Sequence, residues 1–153
     1  MINYELALKD DRWDRADITG LIERAIALMP EFLDITSAQE LSLVLSNDDM
    51  IQTLNRDYRK KDKPTNVLSF PTHQAMGLIG DVVLSYDTIK REAQDSAKRF
   101  EDHVTHLIIH GVLHLFGYDH IDDKDAAKME ELEIAILAKL GIANPYIISD
   151  YTP

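Results

Sequence analysis

Apolar residues alternate with polar ones, or run together, in four short segments of the chain. Such patterns are typical of β-strands, and they cover residues 2–8, 41–45, 67–70 and 81–84. In five further segments apolar residues recur every three or four positions, which predicts amphipathic helices. These helices are predicted over residues 17–32, from Asn47 to Tyr58, from Ser85 or Asp87 to Ala93, over residues 100–116, and from Asp122 or Asp123 to Leu140. The order of the segments predicts a single α+β domain over residues 1–153, with about four strands and about five helices.

Residues that start and stop helices support these boundaries. Asn47 is suited to cap the second helix, and Pro30 limits the last turn of the first. Gly117 and Gly141 are suited to end the fourth and fifth helices, because glycine adopts the left-handed conformation without steric cost. No repeat, low-complexity tract or linker divides the chain.

The composition excludes several kinds of protein. The chain has 153 residues and no cysteine, which rules out disulfide frameworks, cysteine-based zinc or iron–sulfur sites, and thiol nucleophiles. It shows no secretory signal and no apolar run of about 18 residues, the length that a membrane span needs. We therefore expect a cytoplasmic protein without membrane contacts.

The charge of the chain is strongly negative but unevenly distributed. The formal net charge is −11, which argues against broad binding to nucleic acid. Residues 56–63 nevertheless have a net charge of +3. Their basic members are Arg56, Arg59, Lys60, Lys61 and Lys63. On charge alone this basic segment is either a solvated helix end or a surface for a negatively charged substrate.

The histidines carry the strongest functional signal. Four of the six share one face of the fourth predicted helix. These four are His103, His106, His110 and His114. His110 and His114 are one turn apart, as two ligands of one zinc ion are. Gly117 permits a turn after which the chain can present His120 as a third ligand. Three protein ligands leave the fourth tetrahedral position for water, as in catalytic zinc sites.

The ligand spacing resembles that of the metzincin proteases, H-E-x-x-H-x-x-G-x-x-H, at every position but one. Gly111 stands where those proteases have the glutamate that acts as general base, and glycine cannot accept a proton. The sequence therefore predicts a metzincin-like metal helix without the peptidase base. We expect His103 and His106 to form hydrogen bonds or to support the ligands, and His73 to lie on the surface.

Three segments of the chain resemble the YbeY family of bacterial rRNA maturation endoribonucleases. Residues 110–120 read H-G-V-L-H-L-F-G-Y-D-H and resemble the family signature H-G-x-L-H-L-x-G-Y-D-H. Residues 55–59 (N-R-D-Y-R) and 62–71 (D-K-P-T-N-V-L-S-F-P) resemble its central segment. Residues 78–85 (L-I-G-D-V-V-L-S) resemble its Gly-Asp strand. The resemblance covers most of residues 55–120.

The resemblance implies a fold, a cofactor and an activity. The fold is a single α+β domain with a small mixed sheet packed by helices. The cofactor is one Zn²⁺ ion held by His110, His114 and His120, although three imidazoles also accept Ni²⁺ or another divalent metal. The activity is that of a single-strand-specific endoribonuclease in maturation of the 3′ end of small-subunit (16S) rRNA and in ribosome quality control. The implied partners are rRNA, the small ribosomal subunit, and ribosomal or assembly proteins.

Roles for individual residues follow from the resemblance and from their chemistry. Arg59 matches a functionally important arginine of the family, and a guanidinium suits the charge that develops on a phosphate. The other basic side chains of the segment are expected to contact RNA: Arg56, Lys60, Lys61 and Lys63. We expect His106 and Asp119 to support the ligands by hydrogen bonds. Asp81 could support them in the same way, but we favour a structural role for it, as polar support for a turn before a strand. Tyr118 and Asp119 are placed to orient the third ligand.

Two other functions fit the same residues. A zinc metalloprotease-like hydrolase fits the ligand spacing but not Gly111. A non-catalytic, metal-stabilised ribosome-assembly factor would bind RNA or a ribosomal protein without cutting. The sequence leaves open the native metal, the oligomeric state, and whether water or the RNA 2′-hydroxyl is the nucleophile.

Overall fold

Four strands and five α-helices form in residues 1–35, 37–72, 78–119 and 121–146, the part of the chain that the computed structural model describes. This content confirms the predicted α+β class. The strands are β1 (Ile2–Leu8), β2 (Gln39–Ser46), β3 (Val67–Pro71) and β4 (Leu78–Ser85). The helices are α1 (Ala16–Leu28), α2 (Asp48–Arg59), α3 (Tyr86–Asp95), α4 (Phe100–Leu115) and α5 (Asp123–Lys139). In these ranges no helix is long and apolar enough to cross a membrane.

The strands form one mixed sheet in the order β1-β2-β4-β3. β1 and β4 both run parallel to β2, so α1 and the α2–β3 segment serve as the crossover connections. β3 runs antiparallel to β4 and forms the outer edge on that side. The mixed character expected of the sheet is therefore confirmed.

Helices cover both faces of the sheet. The main core joins one face to the apolar sides of α1, α4 and α5, and Val82 of β4 lies on this side, beneath α4. A smaller cluster on the opposite face is formed by Ile51 of α2 with Leu68 and Val83. Neighbouring residues of β4 thus point to opposite, buried sides, as the alternation along a strand requires.

The ends of the helices show where local sequence signals hold. Asn47 caps α2 by accepting a hydrogen bond from Met50 N at 3.0 Å, and Asp122 caps α5 in the same way through Asp125 N at 2.8 Å. The first predicted helix ends early, because α1 stops at Leu28 and the next three residues form a 3₁₀ turn around Pro30. Proline has no N–H to donate and its ring obstructs the preceding turn, which prevents α1 from continuing to residue 32.

Helix α4 approaches the sheet very closely at Gly111. A Cβ atom at this position would lie 2.7 Å from Val82 Cγ1 and 3.2 Å from Ser69 Oγ, both shorter than ordinary van der Waals contacts. The Ser69 hydroxyl also donates a hydrogen bond to the Gly111 carbonyl at 3.0 Å. The position that holds glutamate in metzincins therefore faces the sheet here and has no room for a side chain.

We expect Gly111→Ala to lower the free energy of unfolding. Overpacking of this kind lowers the free energy of unfolding by about 1–3 kcal/mol. The higher helix propensity of alanine offsets at most about 1 kcal/mol of this loss. Gly20→Ala in α1 is the matched control, since the nearest atom to a Cβ there is Arg24 Nη1 at 3.6 Å, and it should raise stability. Urea unfolding followed by circular dichroism measures both variants, and equal gains in both would contradict the close approach.

Candidate metal centre

The histidines of α4 form a row between α3 and α5. Their side chains are only 11–22% exposed. Successive ring centres lie 6.4, 6.3 and 4.6 Å apart along the series His103, His106, His110 and His114. The row follows from the helical spacing of these residues, and its closest contact is at the C-terminal end of α4.

His110 and His114 direct their Nε2 atoms at each other across 3.1 Å. His110 Nδ1 lies 3.2 Å from a carboxylate oxygen of Glu133, and His114 Nδ1 lies 3.0 Å from the Tyr118 carbonyl oxygen. Because both partners accept hydrogen bonds, Nδ1 carries the proton in each neutral ring and Nε2 presents a lone pair. Two lone pairs at this distance repel unless a cation lies between them, and two nitrogens on one tetrahedral zinc ion are about 3.3 Å apart. The pair therefore fits two ligands of one metal ion.

A glycine turn directly after α4 supplies the partner of His114. Gly117 has a φ of +97°, and its N–H donates to the His114 carbonyl at 3.0 Å. The Tyr118 N–H donates to the Leu113 carbonyl at 3.1 Å. These two bonds form a Schellman motif, which turns the chain back over the helix end. The turn brings the Tyr118 carbonyl to His114 and leaves an Asp119 carboxylate oxygen 4.0 Å from His114 Nδ1. His120, the third predicted ligand, lies outside the described residues.

Glu133 of α5 is a buried carboxylate at the centre of the row. Its Oε1 atom accepts hydrogen bonds from His106 Nε2 at 2.6 Å, the Tyr146 hydroxyl at 2.9 Å and His110 Nδ1 at 3.2 Å. Burial raises the pKa of this carboxyl, but the hydrogen bonds from His106 and His110 outweigh burial and lower the pKa to about 2. Burial and the Glu133 charge raise the pKa of Tyr146, which stays protonated as a donor.

Two overlapping sets of donor atoms meet at His110. Among the described residues, ligand atoms of His106, His110 and Glu133 lie within 4.8 Å of one another and could hold a metal ion. The two short contacts in this set, however, join ring nitrogens to a carboxylate, as hydrogen bonds do. The contact between His110 and His114, by contrast, joins two ring nitrogens at 3.1 Å, close to the separation of two ligand nitrogens on one tetrahedral zinc ion.

Sequence analysis missed Glu133, although a signal for it exists. Met129 and Ile136 lie on the buried face of α5, and position 133 is four residues after the first and three before the second. It therefore falls on the same face of the helix. A carboxylate within an apolar helix face indicates a buried hydrogen-bonding partner, because charged side chains are rarely buried unpaired.

At the N-terminal end of the row, His103 pairs with a second carboxylate. Its Nε2 atom lies 2.9 Å from Glu92 Oε1 of α3, which also accepts a hydrogen bond from Asn66 Nδ2 at 3.0 Å. The hydrogen bond from His103 lowers the pKa of Glu92, although burial opposes this. The pair links α3 to α4.

Arg59 is connected to α4 through Ser69. Its Nη2 atom donates a hydrogen bond to the Ser69 carbonyl at 2.7 Å, and its guanidinium carbon lies 5.1 Å from the centre of the Phe70 ring. The Ser69 hydroxyl in turn bonds to Gly111, the residue after His110. The guanidinium remains exposed to solvent. The other basic side chains of the segment are exposed as well: Arg56, Lys60, Lys61 and Lys63.

Asp81 is not brought to the histidines. It lies within β4, in agreement with the strand predicted over residues 81–84, and opposite Phe70 of β3. The next residue, Val82, lies beneath α4, so the alternation along the strand turns Asp81 toward the α2 side of the sheet. His73, expected on the surface, lies outside the described residues.

Sequence comparison finds one family across nearly the whole chain. A family model described as "Endoribonuclease YbeY" matches residues 3–141, a range that includes Arg59, α4 and Glu133. Proteins of that name from Sinorhizobium fredii and Paracoccus denitrificans are 41% and 44% identical to this chain. The alignments cover 95% and 94% of this chain and 92% and 89% of those proteins. The solution structure of a Thermotoga maritima protein matches 100% of this chain and 99% of its own, with a TM-score of 0.59 and 25% identity.

Glu133→Gln should weaken Zn²⁺ binding about 10- to 100-fold, because the amide keeps the shape of the side chain but loses the charge that orients the His110 ring. Competition with a chromophoric chelator measures this affinity directly. Glu92→Gln is the matched control, since Glu92 bonds to His103 at the far end of the row and should leave the affinity unchanged. Equal losses in both variants would show that Glu133 acts on the fold rather than on the ligand.

Proposed function

The chain belongs to the endoribonuclease YbeY family, and we propose that it is a metal-dependent, single-strand-specific endoribonuclease that matures the 3′ end of 16S rRNA and acts in ribosome quality control. Its family makes it a hydrolase that acts on RNA. The single observation that carries the metal dependence is the 3.1 Å contact between two Nε2 atoms of α4. The proposed partners are rRNA, the small ribosomal subunit, and ribosomal or assembly proteins.

We assign the metal to His110, His114 and His120, with Zn²⁺ as the proposed ion. Contacts support the first two ligands, and the spacing after Gly117 supports the third. Glu133 and the Tyr118 carbonyl accept hydrogen bonds from the two Nδ1 atoms and so fix the orientation of both rings. When bound, a divalent metal supplies Lewis acidity that activates water near neutral pH and polarises a phosphate oxygen. Nickel, copper or iron would suit the same three imidazoles.

Arg59 supplies a fixed positive charge for the scissile phosphate. The Ser69 carbonyl and the Phe70 ring hold its guanidinium in place, while its exposure leaves the remaining N–H groups accessible. A planar fork of donors matches phosphate oxygens, and its charge stabilises the negative charge that grows in the transition state. The flanking basic residues of the segment would contact neighbouring phosphates of the same strand.

The surroundings of Gly111 argue against a peptidase. A side chain at this position would point at Val82 and Ser69 in the sheet and not toward the paired histidines. The chain therefore lacks the general base of the metzincins and has no space to carry it there. A negatively charged substrate that Arg59 can stabilise fits the residues better than a peptide bond does.

His114→Ala should remove the bound metal and the ribonuclease activity together. His106→Ala should retain close to one metal ion per chain, because His106 bonds to Glu133 and lies outside the assigned ligand set. Metal analysis of the protein as isolated, paired with cleavage of a 16S rRNA precursor, checks both variants. The reverse outcome would move the site to His106, His110 and Glu133.

The ends of the RNA products separate two forms of the reaction. A 5′-phosphate indicates attack by water, whereas a 2′,3′-cyclic phosphate indicates attack by the neighbouring 2′-hydroxyl. Binding of a ribosome-bound precursor without cleavage would instead support an assembly factor. Zinc-dependent digestion of a peptide library with no effect on RNA would support a protease.

Arg59→Gln should lower kcat for RNA cleavage about 100-fold or more, the usual cost of removing a donor that stabilises transition-state charge. Metal content should not change, since the Arg59 contacts are with Ser69 and Phe70. Arg56→Gln in the same basic segment is the matched control and should raise KM more than it lowers kcat. A loss of rate that parallels a loss of metal would contradict a direct role for Arg59.

A further inference from the structure

An exposed aromatic ring stands beside Arg59 at the end of α2. Tyr58 is 65% exposed. Its ring meets Phe70 of β3, with ring centres 5.6 Å apart and an angle of 67° between the planes. The Arg59 guanidinium lies over the same Phe70 ring. Phe70 thus supports both neighbours and leaves most of the Tyr58 ring in solvent.

The structure beneath these side chains is well packed. Phe70 packs against a small buried cluster between α2 and the sheet, formed by Ile51, Leu68 and Val83. Arg59 is held further by its hydrogen bond to the Ser69 carbonyl. A ring that is already held in place loses little conformational entropy when a ligand stacks on it. Tyr58 and Phe70 therefore form a preorganised aromatic surface.

This aromatic surface lies in the positively charged part of an acidic protein. Tyr58 is within the basic segment, residues 56–63, whose net charge is +3 in a chain of net charge −11. A polyanion therefore meets attraction at this segment and repulsion over much of the remaining surface. The charge favours RNA over an acidic protein as the ligand of the exposed ring.

Ser69 connects the same region to the candidate metal centre. Its carbonyl accepts the hydrogen bond from Arg59, and its hydroxyl donates to Gly111 of α4, next to His110. Arg59 is therefore linked to α4 through a single residue of β3.

We infer that Tyr58 and Phe70, together the stacking platform, bind one unpaired base of the RNA next to the phosphate that Arg59 contacts. The inference rests on the ribonuclease function proposed above. Proteins that bind single strands combine aromatic rings with basic groups, because every base offers a π-face and every nucleotide a phosphate. Inside a duplex both faces of a base are covered by its neighbours, so the stacking platform also gives a physical reason for single-strand specificity.

The test uses the metal-loaded protein and a short single-stranded RNA that carries one 2-aminopurine. Stacking on an aromatic ring quenches the fluorescence of this base, and stopped-flow mixing reads binding before cleavage. Tyr58→Ala should weaken binding about 5- to 150-fold, the range for loss of one stacked base, and should abolish the quench. Tyr58→Phe keeps the ring and should bind as wild type. Leu8→Ala, an exposed apolar position on the far edge strand β1, is the control and should change neither reading.

A second experiment distinguishes the contribution of the base to binding from that of its phosphate. Removing the base at the position of strongest quenching should weaken binding to the wild-type protein as much as Tyr58→Ala does. If wild type neither binds nor cleaves single-stranded RNA, the proposed function fails and the inference fails with it. If wild type does both while Tyr58→Ala binds with the same Kd and quench, the stacking inference is overturned and the proposed function stands. The exposed Tyr58 ring would then be assigned to contact with a protein partner.

Discussion

The approach of α4 to the sheet at Gly111 is the constraint on which the rest of the structure depends. With Val82 and Ser69 directly below, the helix has no room for a side chain at position 111, and this close contact fixes the rotation of α4 about its axis. Successive residues are about 100° apart, so positions 110 and 114 are turned to the same side, about 100° and 60° from Gly111. The histidine row is therefore directed along the sheet toward α3 and α5, where Glu92 and Glu133 form hydrogen bonds with it.

Local sequence features predict much of this arrangement. Asn47 and Asp122 satisfy N–H groups within a few residues, and Gly117 turns the chain within one residue of the helix end, so their effects need no tertiary contact. The spacing of His110 and His114 works in the same way, because one helical turn alone brings their rings together. The element order and the proximity of these two rings can therefore be predicted from the sequence.

Features that depend on packing between elements are not readable in the same way. Glu133 reaches His110 only because α5 packs against α4, a contact that neither helix specifies by itself. The sequence also leaves open which side of β4 carries Asp81, because this strand is covered on both faces. Its apolar run, Val82 to Leu84, shows no alternation that would reveal which side faces α4. The missing information in both cases is the mutual orientation of distant segments.

The edge position of β3 has a consequence for solubility. An outer strand presents unpaired backbone groups to solvent, and such a strand is a template for pairing with another chain. Arg59 donates a hydrogen bond from its charged side chain to the Ser69 carbonyl, which is then not available to another strand. The strand ends at Pro71, which has no N–H to donate. Both features shorten the stretch available for intermolecular β-pairing. The arginine proposed to bind the substrate phosphate thus also protects an exposed strand from self-association.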